Sequence, residues 1–568
     1  MKQDKKRIID SVHGNIYIDR EYVANVIDTP EFQRLRRIEQ TSTRAIFPSA
    51  RHDRFIHSIG VYYMGSLIAA QIDDIAVDQN YWGIGKGNYE KIRDAYHIAC
   101  LLHDVGHAPF SHTFEEFYGE NKDLSEILYS LLPQNGQQLR KDLDPQISHP
   151  KPHEFASAIL TFTVKDFRDF IRGKALDQEL IARMIIGCKY NDDADIAIQI
   201  KNCFINLLNG EVIDADRLDY ACRDVWASGY STSSIDMKRL ISGLFIKSKD
   251  GKLIVCFSSN VLNEIESVLD IKEFQVKYIL NHHTVVYEQN LLKEAAKQMA
   301  INYAHYQKLE QELVGSKELE KLEEKGKWDY IFKKIMSSVI SLETISRDGR
   351  ETNGNLHLRL LADDDLIFLM KQEKNELFEE WESRQYTRFA LWKTRDEFFA
   401  LFPQLDKDIS FTDNITNEIM NALNDNGYDA LVILRTFSSR LSLKDLNICI
   451  GNSKNEDENG LEVLTYNQLY RGQVREPDKK FPFVYIKKGD FMNDMEALKI
   501  YKANIIHLLS EVVMNNYVFN DREKLPTQLL KDSLESLSSI DIKALGDGNQ
   551  QKIESAIRKI QLSIEKIS

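Results

Sequence analysis

The stretch ACLLHDVGHAPFSH, residues 99–112, sets three histidines and an aspartate around a glycine and a proline, directly after an apolar run. Ala99, Cys100, Leu101 and Leu102 read as the buried side of a helix. If that helix runs on through LLHD, His103 and Asp104 lie about 100° apart around its axis and can converge on one ion beside it. Two ligands do not complete a site. RFIHSIGVY offers His57 near a helix start, and VIDADRLDYACRD offers Asp214, Asp216, Asp219 and Asp224.

Mixed nitrogen and oxygen donors suit a divalent ion such as Mn, Fe, Mg, Zn, Ni or Co rather than a thiolate-selected metal. Open positions on such an ion leave room for water and a phosphoryl oxygen, which is the chemistry of metal-assisted hydrolysis. A single buried histidine is more often a hydrogen-bonded core residue than a ligand. The ordered set His57, His103, Asp104 and Asp216 carries the weight, each member lying in a longer distinctive string.

The 568 residues are 43% hydrophobic and 28% charged with 11 prolines, a composition that folds and has length for two or more packed units. No run approaches the roughly 18–20 apolar residues that span a bilayer, and MKQDKKRIID continues into charge, so a cytoplasmic chain without a membrane partner is expected. The six cysteines are scattered without CxxC pairing, which points to reduced thiols. A net charge of −14 argues against a surface devoted to nucleic acid but leaves local phosphate sites open.

Helical periodicity dominates residues 1–400, with EFQRLRRIEQ, YHIACLLHDV, HEFASAILTFTV and a charged helical stretch at 305–340. After 400 the runs YDALVILRTF, LNICIGN and FPFVYIKKGDF predict strands beside a helix in ALKIYKANIIHLLSEVVMNN. The expected architecture is mainly α: a helical lobe over 1–400, a smaller α+β lobe over 401–524, and a helical tail over 525–568.

Taken together, DSVHGNIYI, VIDTPEFQRLRRIEQ, FPSARHDRFIHSIGVYYMG, ACLLHDVGHAPFSHTFEEF, HEFASAIL and IDADRLDYACRDVWASG, between residues 10 and 229, resemble the HD-domain phosphohydrolases. Within them the likeness is to the deoxynucleoside triphosphate (dNTP) triphosphohydrolases, which include bacterial dGTPases. The resemblance implies hydrolysis of a dNTP to deoxynucleoside and inorganic triphosphate by a metal-dependent homo-oligomer. The implied role is control or depletion of the nucleotide pool, including defence against phage.

Carried onto this chain, the resemblance makes His57, His103, Asp104 and Asp216 the metal ligands and His112, with Glu115, the catalytic pair. It places His107 and His153 toward the substrate phosphates, Arg54 and Arg217 on phosphate, Gln40 and Asp224 on the sugar 3′-hydroxyl, and Tyr220 against the sugar. Asp28, Gln33, Arg36 and Lys6 match an activating-nucleotide site, for GTP or a dNTP, between subunits. Each has a plainer alternative: surface salt bridges for the arginines, core packing for Tyr220, an amphipathic basic face for FQRLRRI.

Two departures bear on the substrate. Arg217 replaces a lysine of the human member, and Thr41 stands where that member has an apolar leucine beside the sugar. A ribonucleotide, a nucleoside monophosphate or a signalling nucleotide therefore stays open as substrate, as does a nucleotide-responsive module with vestigial activity.

Overall fold

Residues 5–19 fold back on themselves as a hairpin, β1 (Lys5–Asp10) pairing antiparallel with β2 (Gly14–Asp19). In this computed structural model the described residues are 4–302, with breaks at 116–120, 144–149, 211–212 and 231–234, and most of 360–519, with longer breaks at 438–445, 451–461 and 466–478. The charged stretch 305–340 and the tail 525–568 lie outside them.

After the hairpin the chain is helical. α1 (Arg54–Asp78) starts at Asp53, whose carboxylate accepts from Ile56 N at 2.9 Å and so satisfies an orphan donor of the first turn. By length and composition α1 could cross a membrane, but 67% of its apolar window is buried inside the fold, and core packing accounts for its character. α2 (Lys86–Leu102) and α4 (Ala215–Ala227) both pack on α1, while α3 (Pro152–Thr163) packs on helix Gln178–Ile186. Leu101 and Leu102 are 0% exposed, and burial of each contributes about 1.5–3 kcal/mol. α5 (Leu262–Phe274) then packs on α4.

The chain divides into two compact units, though not at residue 400. The first comprises Met1–Thr387 and Ser438–Arg475, the second Arg388–Phe437 and the chain from Glu476. The reason is strand pairing. Asn447–Ile450, from the LNICIGN run, pairs in parallel with Lys252–Ser258 of the first unit and antiparallel with Glu462–Thr465, completing a four-stranded sheet that begins at Leu244–Lys249.

The second unit is α+β. Strand Lys479–Lys487 sits between Arg388–Ala390 and Ala430–Phe437 in an antiparallel sheet, and helix Ile415–Asp425 packs on both strand Ala430–Phe437 and helix Met495–Asn515. Its core gathers Trp392, Phe398 and Phe481, with ring centroids 4.8–4.9 Å apart between neighbours.

Candidate active site

Three helices deliver the expected metal ligands to one point. His57 lies in the first turn of α1 and Asp216 in the first turn of α4. α2 ends at Leu102, so His103 is its C-cap and Asp104 follows in a turn, rather than both riding on a continuing helix. The turn must be tight: a Cβ at Gly106 would come within 2.3 Å of Ser157 N on α3, and Gly106 N donates to Ser157 Oγ at 2.9 Å.

His57 Nε2 stands 3.0 Å from Asp216 Oδ1, 3.6 Å from Asp104 Oδ2 and 3.4 Å from His103 Nε2. His103 Nε2 lies 3.5 Å from Asp104 Oδ2 and 3.7 Å from Asp216 Oδ1. The other ring nitrogens are committed elsewhere. His57 Nδ1–H donates to Asp219 Oδ2 at 2.8 Å, and His103 Nδ1–H donates to the Cys100 carbonyl at 2.9 Å. Both Nε2 lone pairs are thereby aimed into the cluster, the arrangement that orients histidine ligands on metals.

The charge balance also favours a cation. Burial opposes a charged His57, yet its hydrogen bonds to the Asp216 and Asp219 carboxylates lift its pKa to about 10. Without an ion, Nε2 therefore keeps a proton where the ion's charge would stand. Burial likewise opposes the Asp104 and Asp216 carboxylates; Arg54 with His103 for the first, and His103 with His57 for the second, hold both well below the usual range. His57, His103 and Asp216 converge closely enough to share one ion, with the Asp104 carboxylate 3.5–3.6 Å from both imidazoles. This nitrogen and oxygen set fits a divalent ion and not a thiolate-selected one.

Arg54 is buried at 4% exposure. Its Nη1 donates to Asp104 Oδ2 at 2.7 Å, Nε to Ser111 Oγ at 2.9 Å and Nη2 to the Gln40 carbonyl at 3.3 Å. It braces the Asp104 carboxylate, and its remaining N–H groups are what it can offer a phosphate.

Beyond Ser111 lies a second cluster. Glu115 accepts from His112 Nδ1 at 2.7 Å and from His153 Nδ1 at 2.5 Å, so one carboxylate orients two imidazoles. Burial opposes its ionisation, but His153 and His112 hold it far below the ordinary glutamate range. The His107 ring stacks on His153 at 4.2 Å and is fully buried, with neither nitrogen hydrogen-bonded among the described residues. Burial first, then Arg54 and His153, push its pKa well down, so it is a neutral imidazole.

Of the expected sugar-facing groups, Gln40 is buried with Oε1 unpartnered among the described residues, whereas Asp224 is already held by His52 Nε2 at 2.7 Å. Thr41 Oγ1 is engaged by Thr43 Oγ1 at 2.9 Å. Tyr220 is half-buried against Ala221, Val225 and Ile271. Arg217 Nη1 donates to Asp214 Oδ2 at 2.6 Å and to the Gly210 carbonyl. The regulatory candidates are also neighbours: Lys6 Nζ lies 3.8 Å from Asp28 Oδ2, Gln33 donates to the Ile27 carbonyl at 2.8 Å, and Arg36 donates to Gln33 Oε1 at 2.8 Å.

Four further residues belong to the site. Asp219, noted in sequence only as one acidic residue of the string, supports His57. His13 bonds that same carboxylate at 2.6 Å. Asp363 accepts from Phe110 N at 2.6 Å and Glu39 N at 2.9 Å, clamping the turn that carries His112 to the segment that carries Gln40. Lys272 on α5 feels Arg217 and Lys151; burial and these two cations lower its pKa to about 7. Nothing local in sequence marks Asp363 or Lys272, and the HG pair after Asp10 was the available hint of His13.

The HD domain family matches residues 54–184, which contain three of the four expected ligands. Residues 54–184 are similar to the HD domain. It resembles the HD-domain dNTPases: the deoxynucleoside triphosphate triphosphohydrolase SAMHD1 homolog of Dictyostelium discoideum is 30% identical over 302 residues, covering 51% of this chain and 48% of that protein. SAMHD1 of Xenopus laevis is 42% identical over 113 residues, 19% of this chain and 16% of that protein. An uncharacterised protein, MJ1154 of Methanocaldococcus jannaschii, is 28% identical over 297 residues, 51% of this chain and 49% of that protein. The chain spans about half the length of the curated relatives it matches.

Proposed function

We propose that this HD-domain protein is a metal-dependent phosphohydrolase that cleaves dNTPs to deoxynucleoside and inorganic triphosphate. The observation that carries the reading is Arg54, which touches both halves of the site: Asp104 of the ligand quartet and Ser111 of the turn bearing His112. A phosphoryl group beside the quartet is thus within the frame of a proton-handling histidine.

His57, His103, Asp104 and Asp216 would hold a divalent ion, which when bound would polarise the α-phosphoryl group and acidify water beside it. Asp104 keeps its orientation through Arg54. A water oxygen bonds to the α-phosphorus as the bond to the 5′-oxygen breaks. His112, oriented by Glu115, has its pKa lowered to about 4 by burial in the unliganded protein. It takes up a proton beside the anionic phosphates and delivers it to the leaving 5′-oxygen, and the proton lost by the attacking water balances it. His107 and His153 face the phosphates, with Lys272, Arg217 and Lys151 adding positive charge. Gln40 Oε1 accepts from the sugar 3′-hydroxyl, and Tyr220 packs on the sugar.

Activation by GTP or a dNTP at Lys6, Asp28, Gln33 and Arg36, within a homo-oligomer, is part of the same proposal. The test is incubation of purified protein with each dNTP and ribonucleotide in Mn²⁺, with and without added nucleotides, and product identification by mass. Triphosphate release from deoxynucleotides supports the reading. No triphosphate from any of them under any mixture rules it out.

A further inference from the structure

We infer that His13, in the turn of the N-terminal hairpin, is a positioning residue for the metal ligand His57 and acts through Asp219, so that the hairpin sets the affinity of the centre for its ion. The inference rests on the metal reading of the His57, His103, Asp104 and Asp216 cluster.

Asp219 is fully buried, and all its acceptor capacity is taken. Oδ2 accepts from His57 Nδ1 at 2.8 Å and from Arg223 Nε at 2.8 Å; Oδ1 accepts from His13 Nε2 at 2.6 Å and from Arg223 Nη2 at 2.8 Å. A carboxylate offers about four lone-pair sites, and four donors fill them. The group is locked against rotation, which keeps the His57 proton on Nδ1 and its Nε2 lone pair toward Asp216 and Asp104. α1 closes the same space: a Cβ at Gly60 would fall 1.9 Å from Asp219 Oδ1.

His13 is placed there by the hairpin itself. Asp10 Oδ1 accepts from Val12 N at 2.8 Å and His13 N at 2.6 Å, which folds the turn so that the imidazole reaches α4. Asp10 Oδ2 accepts from Arg223 Nη1 at 2.8 Å. One turn therefore holds both the carboxylate behind His57 and the guanidinium that braces that carboxylate. Removing the His13 donor leaves Asp219 Oδ1 with Arg223 Nη2 alone and frees the carboxylate to shift toward Arg223. Loss of a ligand's direct outer partner, here Asp219, typically weakens metal affinity ~10–100-fold, which sets the upper bound for His13, one contact further out.

His13 also packs its ring on Tyr63, with centroids 5.1 Å apart, so donor and ring must be separated. His13→Gln keeps a donor near the Nε2 position without the ring, and His13→Phe keeps a ring without the donor. Each full-length protein, stripped of metal, is titrated with Mn²⁺ by calorimetry and with Co²⁺ by visible absorption. The expected result is weaker Mn²⁺ binding, within that ~10–100-fold bound, and a shifted Co²⁺ spectrum for His13→Phe, with affinity and spectrum largely kept in His13→Gln. Wild-type affinity in His13→Phe, or loss in His13→Gln with retention in His13→Phe, overturns the inference. If His13→Phe does not fold, His13→Gln decides: retention supports the role, loss overturns it. A wild-type protein that binds no ion removes the metal reading, and the inference with it.

Discussion

Arg54 Nη1 lies 2.7 Å from Asp104 Oδ2, with both residues buried, 4% and 2% exposed. Neither charge has water to fall back on. Arg54→Ala leaves Asp104 buried without its cation and is expected to cost about 3–5 kcal/mol, measured by denaturant unfolding of metal-free protein. Arg54→Lys is expected to restore little, because Ser111 Oγ and the Gln40 carbonyl need the guanidinium fork. Wild-type stability in Arg54→Ala contradicts the pairing.

Asp216 is the member of the proposed ligand set whose side chain is least buried, at 37% exposure, and its carboxylate is the one closest to His57 Nε2. Asp216→Asn is expected to fold, to lose bound metal by elemental analysis and to lose turnover with it. Retained stoichiometric metal would place the centre elsewhere.

Glu115 holds His112 and His153 with one carboxylate. Glu115→Gln is expected to lower turnover ~10²–10⁴-fold, since a general acid loses both its orientation and its charge partner. A stability signature accompanies it. The folded-state pKa of Glu115 is depressed, so its contribution is fully present above the unfolded value of about 4.3 and is lost as pH falls below it. The gap between wild-type and Glu115→Gln melting temperatures should be open at pH 7 and narrow below about pH 4. A gap that widens with acid would have the wrong sign.

Lys272 has its pKa lowered to about 7 by burial and by Arg217 and Lys151. A triphosphate bound nearby restores the ammonium form, so binding at pH 8 should take up a proton. Calorimetry of a non-hydrolysable dNTP analogue in two buffers of different ionisation enthalpy reads that uptake. Lys272→Met is expected to lose it; equal uptake in both proteins would put Lys272 outside the site.

The convergence of His57, His103, Asp104 and Asp216 was legible because each sits in a local string where apolar periodicity and chemistry coincide, as in ACLLHD. What escaped reading depends on distance along the chain. Asp363 reaches the Phe110 amide across 253 positions, and no local pattern records that. His13 lay inside a motif, but its task depends on Asp219 being 206 residues away in sequence and 2.6 Å away in space. The strand in LNICIGN was visible as a strand; its partner, Lys252–Ser258, was not, because pairing is set by the assembled sheet rather than by alternation within the run.

Isotope placement decides the reaction. Mn²⁺-loaded protein is incubated with a dNTP in ¹⁸O-water, and the products are separated and weighed. Attack on the α-phosphorus with departure of the 5′-oxygen puts one ¹⁸O into intact inorganic triphosphate and none into the deoxynucleoside. Label in orthophosphate or diphosphate, with a nucleotide as the other product, would contradict triphosphohydrolysis at this site.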